Sequence, residues 1–333
     1  MPASSTTLFH LSSFSRNDRP NGTPCLAGGN VGLPILEECL KASLKVSVLT
    51  RPGSTSKFPE IVKVFTTDYS PASLALAFQG QDVVLSLLGL SAIGDQQYAL
   101  IEAAVKAGVK RFFPSEFGLD TASAQVVAAV PPFRVRAELI DTIKAKQAAG
   151  SPMEYTAFVA GLFLDWGFFV GFLGLDVEQR TAELWDDGNV PFTVTNLSVV
   201  ARTVVKVLTD AAAYEASRNA YIYTGSVTTT QTELLAATEK ATDAKFAVTR
   251  IESQKLIAES TAKLAGGDLA AMLPLVKAVA FARFHGEALT DLRKYGLFNE
   301  KFGITDGSTE EMVATMVKHR FELPYVRYMA PTS

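Results

Sequence analysis

LAGGNVGLP, residues 26–34, has the form of a glycine turn running into the first turn of a helix. A dinucleotide fingerprint, G-x-G-x-x-G or G-x-x-G-x-x-G, brings backbone N–H groups against a pyrophosphate where an apolar strand turns tightly into a helix. Gly29 and Gly32 fit its last two glycines. Leu26 stands where the first is expected, and RNDRPNGTPC precedes it instead of an apolar run.

Outward from that turn the chain alternates. KVSVLT (45–50), VKVFTTD (62–68), DVVLSLLG (82–89), KRFFPS (110–115) and EYTAFVA (154–160) are short apolar runs, rich in Val and Phe and bounded by turn residues, which predicts strands. LPILEECLKA, SPASLALAFQ, GDQQYALIEAAVKAG and PFRVRAELIDTIKAKQAAG lie between them with helix-period patterns, cap-like residues before some and Gly after others. Strand–helix–strand repetition with right-handed crossovers predicts an α/β fold, a doubly wound parallel sheet of Rossmann type. Such sheets bind ligands at the carboxyl ends of their strands.

Beyond about residue 180 the rhythm changes to a hairpin or strand at DDGNVPFTVTN, a helix from about Leu197 to Ala213, a short strand at YIYTG and a mostly helical tail. The expected organisation is a poorly ordered extension over 1–25, an NAD(P)-binding domain over 26–180, and a smaller, mostly helical substrate lobe over 181–333, interleaved with the sheet edge. The long apolar stretch MEYTAFVAGLFLDWGFFVGFLGL (153–175) reads as a buried strand, a loop and a short apolar segment. As a membrane span it would place Asp165 near the bilayer centre at about 2.5–3.5 kcal/mol, and four glycines interrupt it.

The second strand ends in VLTRPGSTSK. An acid there would accept from the ribose 2′-OH of NAD, whereas an arginine accommodates the 2′-phosphate of NADP. Arg51, with Ser54 and Lys57 close by, therefore points to NADPH/NADP, with a solvated basic turn as the alternative. A formal net charge of −3 and the absence of a basic block disfavour nucleic acid and anionic membrane as partners. Two cysteines and no apolar signal core point to a reducing, cytoplasmic setting. No Y-x-x-x-K, P-loop, H-E-x-x-H or G-x-S-x-G occurs, and the three histidines are scattered, which disfavours nucleotide hydrolases, zinc hydrolases and elbow-type esterases. No metal site is expected.

GGNVGLPIL, DVVLSLLG, DQQYALIEAAVKAGVKRFFPSEFG and GLFLDWG resemble the NmrA-like, isoflavone-reductase-like family of atypical short-chain dehydrogenases, in particular its fungal branch. The likeness runs from about residue 26 to about 325, with R-F-x-P-S-E-F-G its most specific block. It implies a Rossmann domain, NADPH, a substrate cleft under the C-terminal lobe, and reduction of small, often aromatic secondary metabolites. It also implies cofactor contacts at Gly29, Asn30, Val31 and Gly32 (pyrophosphate), Arg51 and Lys57 (2′-phosphate), Leu88 and Gly89 (adenosine and linker) and Phe163 (nicotinamide).

Two departures from the family pattern bear on function. Leu26 and PNGTPC replace the opening glycine and the apolar first strand; either TTLFHLSSF (6–14) supplies that strand through a longer connection, or the N-terminus reflects a faulty gene model or decay of the site. In the helix after PSEFG, alignment on Phe133 puts Arg136 where the family's reductases carry a catalytic lysine. A guanidinium stays protonated, so Arg136 cannot trade a proton but can hold a developing oxyanion by charge; the alternative is an exposed helix arginine. Glu116 either orients a loop or faces the cleft. The reading is an NADPH-dependent reductase of a small metabolite, monomeric or homodimeric, against the alternative of a non-catalytic, redox-sensing NAD(P)-binding regulator.

Overall fold

The computed structural model describes the backbone of residues 6–9 and, in full, residues 29–89 and 94–319. In chain order the first elements are β1 (Thr6–Phe9), α1 (Gly32–Lys41), β2 (Val46–Thr50), β3 (Lys63–Thr66), α2 (Pro71–Phe78), β4 (Val83–Leu85), α3 (Asp95–Ala107) and β5 (Arg111–Phe113). There follow α4 (Ala124–Ala129), α5 (Arg134–Ala148), β6 (Glu154–Val159), β7 (Leu162–Phe163), α6 (Leu164–Phe169), β8 (Leu175–Asp176), β9 (Thr181–Trp185), β10 (Phe192–Thr195), α7 (Leu197–Thr209), α8 (Ala211–Ala216) and β11 (Ala220–Tyr223). The remainder is β12 (Val227–Thr229), α9 (Gln231–Thr242), β13 (Ala247–Ile251), α10 (Ser253–Ala265), α11 (Met272–Phe281), β14 (Arg283–Phe284), β15 (Glu287–Ala288), α12 (Phe298–Lys301) and α13 (Thr309–Lys318). The strands and helices expected between residues 32 and 160 all form.

Seven strands make the main sheet in the order β11-β6-β5-β4-β1-β2-β3. β2 runs parallel to β3, β4 to β5 and β5 to β6. Val83, Val84 and Leu85 are fully buried, as expected of a strand covered on both faces. Local signals agree with the fold: Ser70 caps α2, with Pro71 at the first helical position, and Gly108 ends α3 in the left-handed conformation at φ 73°.

β1 departs from the expected arrangement. The segment read as part of a poorly ordered extension is a strand, and it fills the slot between β2 and β4. It runs antiparallel to both: Thr6 pairs with Leu49 and Phe9 with Val46, while Thr7 faces Leu85 and Phe9 faces Val83. The TTLF run thus supplies the missing strand, in reversed direction. Leu26 and PNGTPC lie outside the described residues.

The chain folds into two compact units. The first comprises residues 1–117, 135–158 and 200–222, the second 118–134, 159–199 and 223–333. A single boundary near residue 180 does not separate them, because 200–222 returns to the first unit. β11 completes the edge of the main sheet, and a buried cation ties α8 to it. Arg111 on β5 is fully buried; its Nη2 donates to Glu154 Oε2 on β6 at 2.5 Å, its Nη1 to the Tyr214 carbonyl at 2.5 Å, and its guanidinium lies 3.6 Å from the centre of the Tyr214 ring. A buried charge must be paired, and Tyr214 on α8 completes the set. Thr156 Oγ1 donates to the Ser217 carbonyl alongside.

The second unit contains small sheets as well as helices: β12-β10-β7, β13-β9-β8 and the β14-β15 hairpin. α9 and α13 each open with a capping box, Thr230 with Glu233 and Ser308 with Glu311. Asp165, on the apolar stretch that superficially resembles a membrane span, is buried and accepts from the N–H groups of Trp166 and Leu197, fixing the starts of α6 and α7. No helix among the described residues is long and apolar enough to cross a membrane.

If β1 is a central strand, deleting residues 2–9 should cost several kcal/mol of the roughly 5–15 that hold a domain, read as a lowered midpoint in urea unfolding. An unchanged midpoint would return these residues to the status of a dispensable extension.

Candidate functional site

In the first unit, the ends of three strands and the start of one helix gather most of the residues singled out in the sequence. α1 begins at Gly32 with neither a side-chain cap nor an acid in its first turn, so its positive end carries no anion of its own. The N–H of Leu33 donates to the Gly29 carbonyl at 3.2 Å, closing the turn. Among the described residues a Cβ built on Gly29 meets nothing within 4 Å, so none of their packing demands this glycine. Asn30 and Val31 are half-buried beside it.

Arg51 follows the last residue of β2, half-buried, in a turn closed by Ser54 N–H to the Arg51 carbonyl at 3.2 Å. Lys57 is exposed. Neither cation has an ion-pair partner among the described residues. Both stand at the strand end that receives the adenosine ribose in a doubly wound sheet, so the residues present fit a 2′-phosphate.

The loops after β4 and β5 are tied together by residues that sequence reading did not single out. Ser115 N–H donates to Gln97 Oε1 at 3.0 Å, and Ser115 Oγ to the Leu88 carbonyl at 2.6 Å. Gln97 comes from the first turn of α3, fully buried, on the same helix face as Leu100, Ile101 and Ala104. A polar side chain on an apolar stripe was the available signal. Gln97 Nε2 and the fully buried Ser86 Oγ have no hydrogen-bond partner among the described residues, and buried polar groups are rarely left so. Both lie beside the carboxyl end of β4, as expected where a polar ligand completes the set.

Leu88 and Gly89 lie in this loop, but the Leu88 side chain is 2% exposed and its carbonyl is taken. Gly89 is the half-exposed member of the pair. Arg136, in the first turn of α5, is no exposed helix arginine. It turns inward, with Nη1 donating to the Glu116 carbonyl at 3.4 Å. Burial pushes its guanidinium below the ordinary value, and the charge of Glu116 pulls it back. Glu116 is itself buried, and its backbone carbonyl ties the PSEFG loop to α5. Phe163 belongs to the second unit, where it ends β7 opposite Thr195 of β10 and stands half-buried at the start of α6.

The NmrA-like family model matches residues 26–291. The chain belongs to this NmrA-like family. Among its relatives, oxidoreductase aprR of Aspergillus flavus is 31% identical over 88% of this chain and 97% of its own length. Oxidoreductase poxI of Penicillium oxalicum is 30% identical over 89% and 93%. The fold is also that of AtPrR2 solved with NADP+ and (+)pinoresinol, with a TM-score of 0.70, 21% identity, and coverage of 89% of this chain and 99% of that one. The leucoanthocyanidin reductase–NADPH complex of Vitis vinifera superposes with a TM-score of 0.68 at 17% identity, covering 88% and 98%. The family match begins after β1, which therefore lies outside the part shared with the family.

Proposed function

We propose that the chain is an NADPH-dependent reductase that adds hydride to a polarised C=C, C=N or C=O bond of a small metabolite. The observation that carries this is the pair of cations Arg51 and Lys57, without ion-pair partners among the described residues, at the end of β2 in the same unit as the glycine turn. Relatives named as oxidoreductases support it and do not favour the redox-sensing alternative. A cytoplasmic location, a monomeric or homodimeric state, and the absence of nucleic-acid or membrane partners belong to the same reading.

Gly29, Asn30, Val31 and Gly32 would hold the pyrophosphate against the start of α1. Arg51 and Lys57 would take the 2′-phosphate, Gly89 with the Leu88 backbone would border the adenosine and linker, and Phe163 would face the nicotinamide. When bound, the reduced nicotinamide supplies the hydride. The Gln97–Ser115–Leu88 chain keeps the two loops under the dinucleotide in register, so little ordering is left to binding. Arg136, fixed on the Glu116 carbonyl, supplies a permanent positive charge for the electron-rich transition state. Because a guanidinium does not give up its proton, its contribution is electrostatic.

The cofactor assignment is tested by equilibrium titration. NADPH should bind at least tenfold tighter than NADH, about 1.4 kcal/mol, and Arg51→Ala should erase most of that gap without moving the unfolding midpoint. Equal affinities in the unaltered protein would overturn the 2′-phosphate assignment. Arg136→Ala should slow single-turnover NADPH oxidation, with an acceptor found in a panel of enones, imines and aryl ethers, by about 10²–10³ at unchanged NADPH affinity. Arg136→Lys should retain part of the rate, and a rate indifferent to Arg136→Ala would remove the arginine from the mechanism.

A further inference from the structure

Reduction of a polarised double bond needs a proton as well as a hydride. Hydride adds to one end of the bond, the electron pair moves to the other, and the atom that receives it must be protonated. Arg136 cannot supply that proton. The second unit contains a group of side chains with the chemistry to do so.

Asp120 lies four residues beyond Glu116 and is 2% exposed. One carboxylate oxygen, Oδ1, accepts from the Ala122 N–H at 3.0 Å and closes the local turn. The other, Oδ2, faces two tyrosines. Tyr223 Oη donates to it at 3.4 Å, and the Tyr295 phenol lies close enough to both groups for each to influence its ionisation. The two rings are stacked with centroids 4.0 Å apart and planes 14° apart. Tyr295 is 41% exposed, so this phenol joins a buried acid to the surface. Burial raises the Asp120 carboxyl above its ordinary range, against the pull of the two phenols, the Ala122 N–H and the Lys294 ammonium. Burial and the neighbouring Asp120 carboxylate push the Tyr295 phenol up to about 12, with Glu287 adding to the rise and Tyr223 opposing it. The Lys294 ammonium also lies 5.1 Å from the centre of the Tyr295 ring.

The backbone places this group close to Phe163 within the same unit. Gly118, two residues before Asp120, bridges Val159 and accepts from the Ala160 and Gly161 N–H groups. On the other side of that run, Thr224 N–H donates to the Val159 carbonyl at 2.8 Å. The same run continues directly into β7 and Phe163. Tyr295 ends a short 3₁₀ turn, Leu292–Tyr295, anchored to β10 by Leu292 N–H on Thr193 Oγ1 at 2.9 Å, and β10 pairs with β7.

We propose that Tyr295 is the proton donor of the reduction and that Asp120 is the positioning residue whose charge keeps its phenol protonated between turnovers. The inference rests on the reductase reading above. The Tyr295 O–H bond breaks and a bond forms between that proton and the substrate atom that carries the electron pair. The phenolate then takes its proton from water at the exposed edge of Tyr295, while Asp120 stays ionised and its charge drives the phenolate back to the phenol. A phenol is a suitable acid here, because the receiving enolate, amide anion or alkoxide is more basic than a phenolate in water. Tyr223 donates to the phenolate oxygen while it is charged.

The test uses 4-nitrophenol as a probe whose colour separates phenol from phenolate and whose anion mimics the charged oxygen of the reduced substrate. It is titrated into the full chain with NADP+ present, and NADPH binding is followed on the same preparations by nicotinamide fluorescence. Tyr295→Phe keeps the stacked ring; it should weaken 4-nitrophenolate binding at least tenfold and leave NADPH affinity unchanged. Asp120→Asn, which removes the competing negative charge, should tighten the anion. In an ultraviolet titration it should also bring one tyrosine down from about 12 towards the ordinary value of about 10, a shift that mere loop capping by Asp120 does not produce. Phenolate binding that is absent, or equal in the unaltered protein and Tyr295→Phe, overturns the proton-donor assignment while NADPH binding keeps the reductase reading intact. Loss of NADPH binding in the unaltered protein overturns both.

Discussion

A sheet strand needs partners on both sides, and the structure is organised around one slot, the gap between β2 and β4. Without a strand there, the backbone N–H and C=O groups along both edges would be buried without partners or opened to water. Thr6–Phe9 fills the slot antiparallel to its neighbours. That direction has a consequence for the site. In a standard dinucleotide fold the central strand delivers the chain straight into the glycine turn at the carboxyl edge. Here β1 ends with Phe9 beside Val46 and Val83, the first residues of β2 and β4. β1 thus ends at the edge of the sheet opposite the carboxyl ends of β2 and β4. The strand that completes the sheet and the glycine turn are separate pieces of chain.

What remains at the carboxyl edge is held by interactions independent of β1. Gln97, Ser115 and Leu88 join the loops after β4 and β5 through two hydrogen bonds, and Arg136 grips the second loop through Glu116. Arg51 and Lys57 stay available because their turn offers them no carboxylate. The unit thus keeps two cations without ion-pair partners among the described residues at the end of β2 and spends its buried charge, Arg111, on packing. The same division would hold between Arg136, whose charge is permanent, and the proposed phenol donor Tyr295.

Most of the first unit was legible because each strand from β2 to β6 is a compact apolar run and each intervening helix carries its own period and caps. The elements that escaped have physical reasons. TTLF is four residues long, sits among serines and threonines, and becomes a strand only through pairing with residues far along the chain. The return of 200–222 to the first unit goes with the place of β11 at the sheet edge and the contact of Tyr214 with Arg111, and no change of composition marks it. Arg51 and Lys57 were readable from their place after a strand, and the glycine turn from its spacing ahead of α1. The inward turn of Arg136 and the Gln97–Ser115 link required the fold. Asp120, Tyr223 and Tyr295 come from three distant segments, each ordinary when read alone.

The central claim is that the carboxyl edge of the first unit holds the dinucleotide even though β1 does not feed the glycine turn. Hydrogen–deuterium exchange on the full chain, with and without saturating NADPH, tests this most directly. The account predicts slowed exchange together in residues 29–36, 51–57, 86–89 and 114–118, with β1 amides already protected before NADPH is added. NADPH that leaves these four segments unchanged, or that protects only segments of the second unit, would contradict it.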